Sequence, residues 1–160
     1  MNFTGKRWNM ESTFAATGIN LSSLEEAFAG SEDVLSQMLS LFEVQAAERV
    51  QQLSAHLAGW DELGARTVLH SLVNIAGAVR AYGMSDLAKS VGDAVKRGDK
   101  VKAQAIARCL VRESVFVLAQ VRLLLEAAQQ GPRELWTVDL SPETASGTSS
   151  DTLLDPLPNA

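Results

Sequence analysis

The sequence predicts an all-α protein on three observations: helix formers dominate, proline is absent before residue 132, and apolar residues recur every three or four positions without β-branched alternation. At 160 residues and 46% apolar, the chain is long enough for one domain with a substantial core and too short for two of ordinary size. We divide it into an N-terminal arm over residues 1–18, a helical domain over 19–130 and a tail over 131–160. The arm carries Phe3, Trp8 and Phe14 among polar residues, a pattern too short and irregular to read as a helix.

Within the domain each element has a start, a stripe and a stop. Asn20 or Ser22 caps a short helix through Phe28, which Gly30 ends. Ser31 followed by Glu32 and Asp33 opens a long helix to about Ala58, with Leu35, Met38, Phe42, Ala46, Val50, Leu53 and Leu57 as its inward face. Gly59-Trp60-Asp61 breaks that pattern, and Asp61 caps the next helix, whose stripe is Ala65, Leu69, Leu72, Ala76 and Val79 with Val68 and Ile75 at its edge. Gly83 closes this helix or marks the bend after it. Ser85 and Asp86 start another helix, with Met84, Leu87, Val91, Ala94 and Val95 inward, and Arg97-Gly98-Asp99 supplies the turn. A last helix over about 101–129 turns Ile106, Leu110, Val117, Val121 and Leu124 inward.

Four substantial helices with short connections predict an antiparallel up-and-down four-helix bundle, preceded by one short helix. From Gly131 the composition shifts to Pro, Ser, Thr, Gly and Asp, which predicts a mostly disordered tail that still allows Leu135 and Trp136 to touch the bundle. On that reading, truncation after Gln130 costs little.

Composition also narrows function. The formal charge is −5, but residues 131–160 hold five acids and one Arg, so the rest is close to neutral and offers nothing to a nucleic-acid backbone. Cys109 is the single cysteine, set in an apolar helical run, and reads as a buried, inert thiol. No stretch approaches the roughly 18 apolar residues that span a bilayer, and the N-terminal segment lacks the apolar core of a leader, so the expectation is a cytoplasmic protein without a membrane partner. No P-loop, CxxC pair, HExxH or nucleophile elbow occurs.

The candidate site lies on the helix of residues 65–83. His70 falls well round from the apolar stripe, and Asn74, Gly77 and Ala81 follow it along the same outer face, with Arg66 one turn before it and Arg80 beyond. An exposed imidazole on a low-profile surface admits a partner closely. His56 reads instead as a partly exposed helix-end residue that favours the C-terminal dipole when charged.

Phe42, Leu53, Leu57, Asp61, His70, Leu72, Ala76, Gly77, Gly98 and Asp99 hold their spacing without a gap over nearly sixty residues. In that register the chain, over about residues 20–125, resembles the histidine-containing phosphotransfer (HPt) domain of bacterial phosphorelays. A register shifted by three residues, resting on Ala76-Gly77, Gly83 and Leu87, would put Val73 at the acceptor position; it needs an insertion and a compensating deletion, and the His70 register is preferred. The resemblance implies that His70 is a phosphoacceptor and that the chain is a phosphocarrier rather than an enzyme. It also implies a response-regulator receiver domain or hybrid histidine kinase as partner, which brings the aspartyl phosphate and Mg²⁺, so that the chain itself needs no cofactor or metal.

Two positions depart from the family pattern. Its Lys three residues after the histidine is Val73 here, and its Gly one turn after is Asn74. The first removes a cation beside the phosphorylated ring, and the second puts a side chain where a partner meets bare backbone. The expected partner-binding surface is Arg66, Val73, Asn74, Gly77 and Arg80. The alternative function is a non-phosphorylatable adaptor that docks a receiver or kinase through the same surface and regulates it by occupancy; a helical scaffold that binds through its ends is a third.

Overall fold

The computed structural model describes residues 16–144, which form helices and connections with no strand among them. The helices are α1 (Leu21–Phe28), α2 (Glu32–Ala58), α3 (Glu62–Ala78), α4 (Tyr82–Lys96), α5 (Lys100–Ala128) and α6 (Pro132–Trp136). The fold is all-α, and among the described residues no helix is long and apolar enough to cross a membrane.

Side-chain caps fix three of the starts. Asn20 Oδ1 accepts from Ser23 N at 2.9 Å, Asp61 Oδ1 from Gly64 N at 3.0 Å and Asp99 Oδ1 from Lys102 N at 3.1 Å. Ser31 precedes α2 but makes no side-chain cap; Glu32 Oε2 instead accepts from Gly30 N at 2.9 Å.

The three turns joining α2 to α5 share one closure. In each, a residue with left-handed backbone lets its own N–H and the next one bond back into the ending helix: Trp60 (φ 49°) with Asp61 N→His56 O at 2.7 Å, Arg80 (φ 63°) with Ala81 N→Ala76 O at 2.9 Å, and Gly98 (φ 71°) with Asp99 N→Ala94 O at 2.9 Å. The middle turn corrects the sequence reading. α3 stops at Ala78 rather than near Gly83, Ala81 is buried rather than on the outer face, and α4 begins at Tyr82, with Gly83 in its first turn. An arginine occupies the left-handed position that glycine usually marks, at about 1–2 kcal/mol of steric cost, so the sequence offered no flag there.

Packing follows the stripes. α2 packs against α3 and α5, and α4 packs against α3 and α5, around one apolar cluster. Leu35, Phe42, Leu53 and Leu57 of α2 meet the whole expected stripe of α3, together with Met84, Val91, Ala94 and Val95 of α4 and Leu110, Val117, Val121 and Leu124 of α5. Leu39 and Ala88 join them unannounced. Met38, Val50, Leu87 and Ile106, expected inward, sit half-buried at the cluster's edge, and Cys109 is half-buried too.

Among the described residues four polar side chains are buried, Ser85, Glu113, Ser114 and Gln120, and the two long ones tie distant segments together. Glu113, 1% exposed, accepts from Thr17 N, Thr17 Oγ1 and Gly18 N at 3.1, 3.0 and 2.7 Å. Gln120, 2% exposed, accepts from Ile19 N at 2.7 Å and donates Nε2 to Leu140 O at 2.9 Å. These bonds satisfy groups that would otherwise be costly to bury, and they tie both ends of the described chain to α5. Gly18 is held at φ 73° so close to Gln120 that a Cβ would collide with its Oε1.

The tail expectation is corrected in its first part. Residues 131–144 are placed against the domain: Leu135 of α6 is fully buried, Trp136 Nε1 donates to Glu32 Oε2 at 3.0 Å, and Val138 and Leu140 pack on the core. The indole bond, followed by the bond from Gly30 N, holds the Glu32 carboxyl below its usual range. Residues 145–160, like 1–15 with Phe3, Trp8 and Phe14, lie outside the described part.

Two stability outcomes follow. Phe42→Ala should cost ~3–5 kcal/mol in denaturant unfolding, as for a large aromatic removed from a packed core; a near-neutral result would contradict the placement of α2. Truncation after Gln130 removes Leu135 and should lower the thermal midpoint clearly, with Leu135→Ala alone costing ~2–5 kcal/mol, whereas truncation after Thr144 should leave every contact described above in place.

Candidate functional site

α3 is gripped on both flanks, by α2 and by α4. Its buried residues Ala65, Val68, Leu69, Leu72 and Ala76 leave a single outward strip, on which Arg66, His70 and Asn74 follow one another at helical spacing, all exposed. Gly77 continues the strip half-buried, and a Cβ built there meets nothing within 4 Å, so the surface beyond Asn74 is open.

On the α4 side the strip borders a groove of about 530 Å³. Arg66, His70 and Val73 line it from α3, and Lys89, Gly92, Asp93 and Lys96 from α4, with Leu69 and Ala88 in its floor. Three cations therefore stand against one carboxylate around the imidazole. Among the described residues His70 makes no hydrogen bond or ion pair, so its ring is free to turn and neither nitrogen is committed to a neighbour. Lys89 reaches only a long 4.0 Å pair with Asp86, both well exposed.

Of the expected surface, the structure brings Arg66, His70 and Val73 into the groove and places Asn74 and Gly77 on the adjoining strip. Arg80 is not brought to it. Its guanidinium Nη1 donates to Gly77 O at 3.3 Å and Ala78 O at 3.1 Å, capping the carbonyl end of α3, while its own carbonyl accepts from Asn20 N at 2.9 Å. That cation serves the turn.

The α4 residues were missed by sequence reasoning. Their signal is the spacing Lys89, Gly92-Asp93, Lys96, a polar stripe one turn apart on the helix that follows the histidine, which only an α3–α4 contact turns toward His70. The other imidazole is engaged: His56 Nδ1 lies 3.0 Å from Asp61 Oδ2, at the end of α2, and the pair packs over Gly64, where a Cβ would collide with the Asp61 carboxylate. No group of three or more His, Cys, Asp or Glu among the described residues could hold a metal ion.

An exposed, unpartnered imidazole flanked by cations can act as a nucleophile toward an anionic electrophile, and it bears no structural load. His70→Gln should therefore change unfolding free energy by less than about 0.5 kcal/mol; a larger loss would mean that the ring packs into the groove floor. No family model, curated protein or solved structure matches the chain, so the reading of the site rests on the residues of this groove.

Proposed function

We propose that the chain is a phosphorelay intermediate, a cytoplasmic phosphocarrier that accepts a phosphoryl group on His70 from the aspartate of a response-regulator receiver domain and passes it on. The observation that carries this reading is the exposed, unpartnered His70 bordered by Arg66, Lys89 and Lys96. Support also comes from the resemblance to the HPt domain in the register of Phe42, His70, Leu72, Gly77 and Gly98-Asp99. We read the mutual packing of α2, α3, α4 and α5 as the antiparallel up-and-down bundle of that family. Consistent with alternating directions, Arg49 of α2 bonds Ser71 of α3, Ser85 of α4 bonds Val73 of α3, and Arg122 of α5 pairs with Glu43 of α2.

The proposed step is a single in-line displacement. A neutral ring nitrogen of His70 attacks the phosphorus of the aspartyl phosphate, the acyl O–P bond breaks with its electron pair on the receiver's carboxylate, and the imidazole proton leaves to water. The receiver supplies Mg²⁺ and the activated phosphate; this chain supplies the nucleophile, an unobstructed approach and cations that favour the dianionic product. Reversal on a second receiver completes the relay.

The adaptor reading is favoured by one observation, the pair of departures at Val73 and Asn74 beside the acceptor. It predicts receiver binding without transfer. Incubation with a phosphorylated receiver separates the two: the relay predicts acid-labile label on the wild-type chain and none on His70→Gln, with receiver binding retained by the variant. Binding without label on wild type would establish the adaptor, and label persisting in the variant would move the acceptor to another residue, His56 being the other imidazole.

A further inference from the structure

The features that α3 lacks around His70 are present on α4. A lysine three residues after the histidine would project where Val73 now lies, and a glycine one turn after it would bare the backbone where Asn74 now projects. Across the groove, Lys89 and Lys96 supply the charge, and Gly92 supplies the bare backbone.

Gly92 is the informative residue. It sits inside the fifteen-residue α4, with helix on both sides, where glycine costs ~0.5–1 kcal/mol relative to alanine. Its φ is not positive, and a Cβ built on it meets nothing within 4 Å, so neither backbone conformation nor packing asks for glycine there. What a side chain at 92 would do is fill the groove wall opposite His70. Val73, half-buried, closes the α3 wall at its own level without adding charge.

We infer that the phosphoryl group of phosphorylated His70 is held over the α3–α4 groove, against the bare backbone at Gly92 and between the ammonium groups of Lys89 and Lys96, so that phosphoryl donors approach the ring from the α4 side and not across Asn74. The occupant is a phosphoryl anion, selected by charge: Arg66, Lys89 and Lys96 outweigh Asp93 around an apolar floor. The inference deepens the phosphocarrier reading and rests on it for its biological meaning, but its chemistry can be tested without a receiver.

The probe is phosphoramidate, a small anionic phosphoryl donor. In the reaction a ring nitrogen of His70 forms the new N–P bond, the P–N bond of the reagent breaks as ammonia leaves, and the imidazole proton passes to solvent. The rate of His70 phosphorylation is followed by ³¹P NMR and intact mass at alkaline pH, on the full chain. Lys89→Gln and Lys96→Gln should each slow it about two- to fivefold, the effect of removing one unit charge from the groove in a water-like dielectric, and the slowing should vanish in high salt. Gly92→Leu should slow it at least as much at any salt, and more than Asn74→Leu does. Gly92→Leu exchanges glycine for a strong helix former in open space, so it folds, and circular dichroism checks this.

Wild-type rates in both lysine variants, Asn74→Leu slower than Gly92→Leu, or an unreactive wild-type His70 would each overturn the inference. Failure of the relay reading looks different: phosphoramidate labels His70 with the expected variant pattern, yet no phosphorylated receiver does.

Discussion

The constraint on which the rest of the structure depends is that α3 must bury its apolar stripe against two helices at once. Leu69, Leu72 and Ala76 are almost wholly removed from water, and each large member of such a stripe is worth about 1.5–3 kcal/mol. A rotation of one residue about the axis, roughly 100°, would expose several of them together. The rotational setting of α3 is therefore fixed by packing alone. The position of His70 follows as a by-product: with two flanks occupied, Arg66, His70 and Asn74 have only the outward strip to occupy, and no bond to the imidazole is needed to keep it there.

The same packing makes the groove. Once α3 and α4 are joined by a short turn, the polar stripe of α4 has to lie beside the histidine strip, and Ser85 Oγ bonding Val73 O at 3.2 Å pins the two helices at that level. The turn itself is an unusual one to build without glycine. Arg80 tolerates left-handed backbone there because its side chain and N–H groups satisfy the last carbonyls of α3, and because Asn20 N closes on its carbonyl from the incoming chain. A cation that looked available for a partner is thus consumed in shaping the joint that positions the groove.

Most of the fold was legible, since long helices with one apolar face announce themselves by period. The stripe of α3, the caps Asn20 and Asp61, and the exposure of His70 stand as the sequence implies, while Asp99, read only as part of a turn, also caps α5. What escaped reading lacked a local signal. The end of α3 was hidden because Arg80 replaces the expected glycine. Glu113 and Gln120 were hidden because they are polar, although they fall at the three-and-four spacing between Leu110, Val117 and Leu124, where a side chain must point inward. Their partners are backbone groups about a hundred residues away, at Gly18 and Ile19, which no window of sequence connects. Leu135 and Trp136 were expected to touch the bundle, but the composition around them hid the short helix that carries them, which docks because Leu135 is buried and Glu32 meets the indole. The α4 half of the site was invisible for the same reason as the buried pair: Lys89, Gly92 and Lys96 acquire meaning only through contact with another helix.

The phosphocarrier reading requires that His70 carry a phosphoryl group in life. The most direct measurement is site-resolved mass spectrometry, under alkaline conditions, of the protein recovered from growing cells of its own host. A phosphocarrier acting through His70 should show one acid-labile phosphoryl group, on that residue. An unmodified His70 in every condition in which the receivers of the same cells are phosphorylated would contradict that reading.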